Sequence, residues 1–147
     1  MSTRGAVGLI FNFDSYPESL GNELLTFLKD KTIDKLKSIF SNITLVKNND
    51  VWNWQNHSFN TEFLDEHRFL LDSLFCEFAY IINLDTNKLE YYEGFNLDPN
   101  APGRYAKYTF YKNDENVYYG VALIKEFDLI DLFEGKYTIN NKFIKNS

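Results

Sequence analysis

The sequence predicts an α+β fold: one domain over residues 1–147, with a largely antiparallel sheet and helices in its N-terminal and central parts. Three observations carry that expectation. Apolar residues recur at helical spacing between residues 20 and 40. Apolar and polar residues then alternate with period two from Cys76 to Leu84. Turn-rich segments separate the apolar runs that follow, as in successive hairpins. A length of 147 residues suits one domain, and 44% hydrophobic residues, with 14 Phe and 10 Tyr, suffice for a packed core.

Taken in order, Gly5 to Phe13 reads as a first strand, in which Gly5 and Gly8 mark weak points or close backbone approach. Ser15 and Glu18 form a capping-box pattern, with Pro17 in the first turn, and Leu20, Leu24, Phe27 and Leu28 make one helical face. Thr32 caps a second helix through Ile33, Leu36, Ile39 and Phe40, and Ile43–Val46 is a short strand. Phe63, His67, Leu70, Leu71 and Leu74 place an apolar stripe on a third helix over about 61–73. A strand from Cys76 to Leu84 turns at Asp85-Thr86-Asn87-Lys88 into a partner at Leu89–Phe95. A second hairpin pairs Arg104–Lys112 with Val117–Lys125, Asp128–Phe133 forms a short helix, and the tail adds an edge strand. Lys47–Asn60 and Asn96–Gly103 are the irregular segments, the latter carrying Asp98-Pro99 and Pro102-Gly103.

Charge excludes some classes of function. The net charge of −6 argues against direct nucleic-acid binding, which needs a cationic surface. Residues 62–98 hold nine acids against Arg68 and Lys88, a solvated face or a surface that steers a basic partner. These acids are interspersed with aromatics and lack the dense rows of a nucleic-acid mimic. The single cysteine excludes an intrachain disulfide, and two histidines leave little for zinc, so no metal or cofactor is expected. No apolar run approaches membrane-spanning length, so no membrane association is expected.

No Gly-rich phosphate loop, HExxH or GxSxG occurs. Cys76 reads as a small buried hydrophobe and His67 as a packed histidine rather than a nucleophile and its base. Ser2 as an N-terminal nucleophile has only Thr3-Arg4-Gly5 behind it. Glu77 interrupts an apolar strand: it faces solvent, finds a cation such as Arg4, or titrates at a site.

Ser2-Thr3-Arg4-Gly5 followed by Gly8 resembles a TRG-x-x-G opening, and Asp14-Ser15-Tyr16-Pro17 with Leu20-Gly21 resembles a DSYP-x-x-LG motif. Residues 72–95 and Tyr118-Tyr119-Gly120-Val121 through Glu126-Phe127 are similar to the central hairpin and closing strand of the same family, an uncharacterised one found in bacteriophages and scattered bacteria. The opening hairpin is shorter here, with Ile10-Phe11-Asn12 running directly into Phe13, and the family's histidine in that region is absent. The resemblance implies a phage setting and, with it, the host cytoplasm.

Two site expectations follow. The first is a non-catalytic accessory protein that binds and inhibits a host protein, in counter-defence, through Trp52, Trp54, Glu90, Tyr91, Tyr92 and Glu93. The alternative is a site for a small nucleotide-like ligand, a sponge or a minor hydrolase, formed by Arg4, Asp14, Tyr16, Glu77 and Arg104 where the first strand and first helix meet the sheet.

Overall fold

The computed structural model describes residues 6–9, 17–42, 44–47, 62–65, 68–71, 73, 76–108, 111–112, 117–140 and 142–146. Its centre is a four-stranded antiparallel sheet built from β1 (Ala6–Leu9), β4 (Phe78–Asn83), β5 (Lys88–Glu93) and β8 (Ala122–Asp128), in the order β1-β4-β5-β8. Three two-stranded pieces surround it. β2 (Thr44–Lys47) and β3 (Glu62–Asp65) run parallel, while β6 (Tyr111–Lys112) with β7 (Val117–Tyr118), and β9 (Tyr137–Asn140) with β10 (Lys142–Lys145), are antiparallel. The α+β class with largely antiparallel strands is therefore what the chain adopts.

The chain enters its first helix through a π-type turn at Pro17–Gly21, then α1 runs Asn22–Leu28. Leu20, Leu24 and Leu28 are buried at intervals of four, the spacing that keeps one helical face inward. Thr32 caps α2 (Ile33–Ser41) as its position suggests, its hydroxyl accepting the Lys35 N–H at 3.1 Å. α3 (Leu129–Phe133) follows β8 directly and buries Leu129, Leu132 and Phe133.

Period-two alternation divides the sheet into two faces, and along β4 and β5 both are covered. On one face Tyr80, Ile82, Leu89, Tyr91 and Phe127 pack against α1, α2, α3 and the Phe143 ring of β10. On the other, Ala79, Ile81 and Tyr92 pack against Leu70, Cys76, Val121, Tyr105 and Leu123. Every β4 residue after Phe78 is buried, so the positions expected to face water do not. Each fully buried aliphatic or aromatic side chain contributes about 1.5–3 kcal/mol.

Two expectations are corrected. Residues 61–73 do not form one helix: β3 pairs with β2, and a short 3-10 turn spans Arg68–Leu71. The backbone there serves tertiary pairing instead, since Val121 N–H donates to the Leu70 carbonyl and Ser73 N–H to that of Tyr119. His67 lies outside the described residues. Nor do Arg104–Lys112 and Val117–Lys125 form one long hairpin. Among the described residues β6 pairs with β7 and Gly120 N–H reaches the Tyr108 carbonyl, while beyond them β8 adds to β5 with a bulge that leaves Ile124 unmatched between Leu123 and Lys125.

Candidate functional site

The hairpin loop Leu84–Asn87, closed by Asn87 at a φ of +57°, sets the register of β4 on β5. That register pairs Ile81 with Glu90, Ala79 with Tyr92 and Asn83 with Lys88, so Asn83, Glu90 and Tyr92 share one face of the sheet. Glu90 is a carboxylate in the middle of the second core, its side chain only 4% exposed. Such a group persists only if its lone pairs and charge are met.

They are met by four donors. Oε1 accepts the Tyr92 hydroxyl at 2.6 Å and Arg104 Nη2 at 2.7 Å. Oε2 accepts the Asn83 amide at 3.1 Å and Arg104 Nη1 at 3.2 Å. The two arginine bonds form the bidentate fork that gives a guanidinium its geometric advantage over an ammonium.

Arg104 arrives from an irregular segment, and the local sequence shows how. Asp98 and Asn96 side chains accept the N–H groups of Asn100 and Asp98, forming successive turns. Pro102 offers its carbonyl to the Leu123 N–H at 2.8 Å. Gly103 then takes a φ of +102°, and a Cβ there would sit 2.8 Å from that of Leu123. The guanidinium lies 5.0 Å from the Tyr105 ring centroid, and that ring meets Tyr92 edge-on at 5.3 Å.

Electrostatics keep this cluster closed to proton chemistry. Burial, reinforced by the hydrogen bond to Glu90, holds the Tyr92 hydroxyl far above the usual tyrosine range, so it stays a donor. Burial works against the Arg104 charge, but the hydrogen bond to Tyr105 and the nearby Tyr92 and Glu90 more than reverse it. The arrangement holds a cation. Among the described residues no group of three His, Cys, Asp or Glu could hold a metal ion, and no helix is long and apolar enough to cross a membrane.

A second feature lies where residues 94–97, 105–108 and 118–121 meet. Gly94 N–H donates to the Glu77 carbonyl at 2.7 Å, and Phe95 N–H to that of Ser73 at 2.6 Å. The buried Ser73 hydroxyl accepts the Asn96 N–H, while the Asn96 amide donates to the Gly120 carbonyl. Asn96 and Tyr108 carbonyls in turn accept the N–H groups of Tyr119 and Gly120. Within this clamp Phe95 has a φ of +53°, a conformation bulky residues avoid, and its side chain is 54% exposed. Leu97 and Tyr108, on the adjoining segments, are exposed as well.

The expected site residues divide accordingly. Arg4, Asp14, Tyr16, Trp52 and Trp54 lie outside the described residues. Glu77 is exposed ahead of β4, and Arg104 is engaged by Glu90 rather than by it. Glu90, Tyr91 and Tyr92 are buried, which corrects their expected place on a contact surface: along β5 both faces of the sheet are covered, Tyr91 under the helices and Glu90 with Tyr92 in the second core. Glu93 is half-buried and accepts the Tyr91 hydroxyl at 2.6 Å. Sequence reading missed Asn83, which the hairpin register could have placed diagonally from Glu90, and Phe95, for which no local signal exists. The chain matches no protein-family model, no curated protein and no solved structure.

Proposed function

We propose that this chain is a non-catalytic, phage-encoded accessory protein that binds and inhibits a host protein, acting in counter-defence. The observation that supports it is Phe95: strained backbone is held by hydrogen bonds on both sides so that an aromatic ring stands in solvent. A chain gains nothing for its own stability from that arrangement, whereas a preordered exposed aromatic is what a binding hot spot requires. Leu97 and Tyr108 on the adjoining segments are exposed as well, as are the acids Glu77, whose carbonyl accepts the Gly94 N–H, and Asp98, three residues beyond Phe95. The partner is thus a protein with an apolar pocket rimmed by Lys or Arg. The phage setting rests on the TRG-x-x-G and DSYP-x-x-LG resemblance.

A nucleotide-like ligand at Arg104 is disfavoured, because Glu90 already neutralises that guanidinium. The test is affinity capture from infected host lysate with wild-type protein and with Phe95→Gly side by side. A stoichiometric protein held by wild type and lost by the variant is the expected result. Equal capture by both, or turnover of a substrate by the purified chain, overturns the reading.

A further inference from the structure

We infer that Glu90, Tyr92 and Asn83 form a receptor for a guanidinium group, and that Arg104 is its resident occupant, delivered by a surface strap that a guanidinium-bearing ligand displaces. The inference rests on a different observation from the Phe95 surface, whose Leu97 and Asp98 begin the strap.

The receptor's carboxylate is held by the sheet itself. Tyr92 and Asn83 each donate to a different oxygen of Glu90, at 2.6 and 3.1 Å, so the carboxylate is held from both sides by its own sheet. The remaining acceptor directions are those the Arg104 fork uses. An ammonium could satisfy the charge but not both oxygens in one plane.

The cation does not come from the sheet. Lys88 is the base next along β5 on the same face, yet its ammonium turns to Glu126 at 3.7 Å and Asp128 at 3.9 Å. Glu126 stands in register opposite Glu90 across β5 and β8, adding negative potential where a cation binds. Glu126 thus has its cation from the sheet, and Glu90 takes its own from the loop.

That loop is built as a strap. Residues 97–100 and 102–104 are exposed, while Asn96 and Ala106 at its two ends are buried. Between these anchors, one backbone hydrogen bond ties the strap to the sheet, Leu123 N–H to the Pro102 carbonyl. The bonds of Asn100 and Ala101 to Asp98 stay within the strap and survive its lifting. The occupant is also the wet half of the pair: the Arg104 side chain is 38% exposed and that of Glu90 is 4%. Lifting the strap therefore uncovers a buried carboxylate that keeps its bonds from Tyr92 and Asn83 and loses the two from Arg104.

The ligand is a guanidinium, from an arginine side chain of a protein or from a small guanidino compound. Arg104→Ala empties the receptor, and its thermal midpoint is measured with methylguanidinium, methylammonium and sodium chloride at equal ionic strength. At ten times the dissociation constant, methylguanidinium alone raises the midpoint by roughly 3–6 °C. The Glu90→Gln/Arg104→Ala double variant shows no rise. Equal responses to the three salts, or a rise that survives Glu90→Gln, overturn the receptor.

In the wild-type protein, amide exchange at Leu123 reports the strap. An excess of an arginine-containing peptide amide or of free arginine accelerates it, and whichever succeeds identifies the source of the guanidinium. Unchanged Leu123 protection at saturating concentrations of both overturns displacement. This measurement decides the matter alone if Arg104→Ala does not fold.

Discussion

Arg104 and Glu90 meet at 2.7 Å with unequal burial, the guanidinium reached by water and the carboxylate closed off from it. Breaking a fully buried pair costs about 3–5 kcal/mol, and the wet arginine lowers that here. Arg104→Ala is expected to cost about 2–3 kcal/mol in urea unfolding, and Arg104→Lys to recover only part, because the fork is lost. A double-mutant cycle with Glu90→Gln returns a coupling well above that of a surface pair; a coupling under about 0.5 kcal/mol contradicts the assignment.

The hydroxyls of Tyr91 and Tyr92 make equally short bonds in unequal surroundings. Tyr92 donates to the enclosed Glu90, and Tyr91 to the half-buried Glu93. Tyr92→Phe leaves a buried charge short of a donor and is expected to cost about 1.5–3 kcal/mol, against about 1 for Tyr91→Phe. Denaturant midpoints of the two variants measure the ordering.

Stability falls in alkali through the same side chains. Burial, with nearby carboxylates, pushes the hydroxyls of Tyr80, Tyr91 and Tyr92 above the ordinary tyrosine range. A group with a raised folded-state pKa contributes fully below its unfolded value, near 10, and loses that contribution as pH rises beyond it. These three tyrosines should therefore resist ionisation until the chain unfolds, visible as a late, cooperative step in tyrosinate absorbance.

Glycines at close backbone approaches tolerate no side chain. A Cβ on Gly94 would lie 1.9 Å from the Cys76 carbonyl oxygen, and one on Gly120 would lie 2.0 Å from that of Tyr105. Alanine at either position is expected to cost about 3 kcal/mol or to prevent folding, since the obstruction is backbone. Gly135 provides the contrast: its φ is +69°, but a Cβ would meet only the flexible Lys29 side chain at 3.7 Å, and alanine there costs about 1 kcal/mol. Thermal midpoints of the three variants check the ranking.

Phe95→Gly should separate stability from binding. Glycine accepts the φ of +53° freely, so relief of strain is expected to raise stability by about 1 kcal/mol or leave it unchanged. A marked loss of stability would mean that the exposed ring supports the fold.

Much of the secondary structure was legible from local chemistry. Leu20, Leu24 and Leu28, the Thr32 cap, the Asp85–Lys88 turn and the short helix before Glu134 each rest on residues a few positions apart. The stripe at 61–73 misled because helical spacing is also met by a strand followed by a 3-10 turn. Its apolar residues serve long-range pairing, which no local window contains.

The candidate site was legible only as residue types. Glu90, Tyr92 and Arg104 stood out as chemistry-bearing groups, but in separate proposals. Their union depends on a strap that returns 14 residues later to cross the sheet. What the sequence determined by itself is the α+β class, the phase of β4 and several of the caps and turns, because these follow from side-chain periodicity and backbone preference. Tertiary structure alone decided that β4 and β5 are covered on both faces, that Glu90 is enclosed and answered by Arg104, and that Phe95 is held outward. Each of those depends on which distant segment lies across the sheet, and burial, unlike periodicity, belongs to the pair of surfaces that meet.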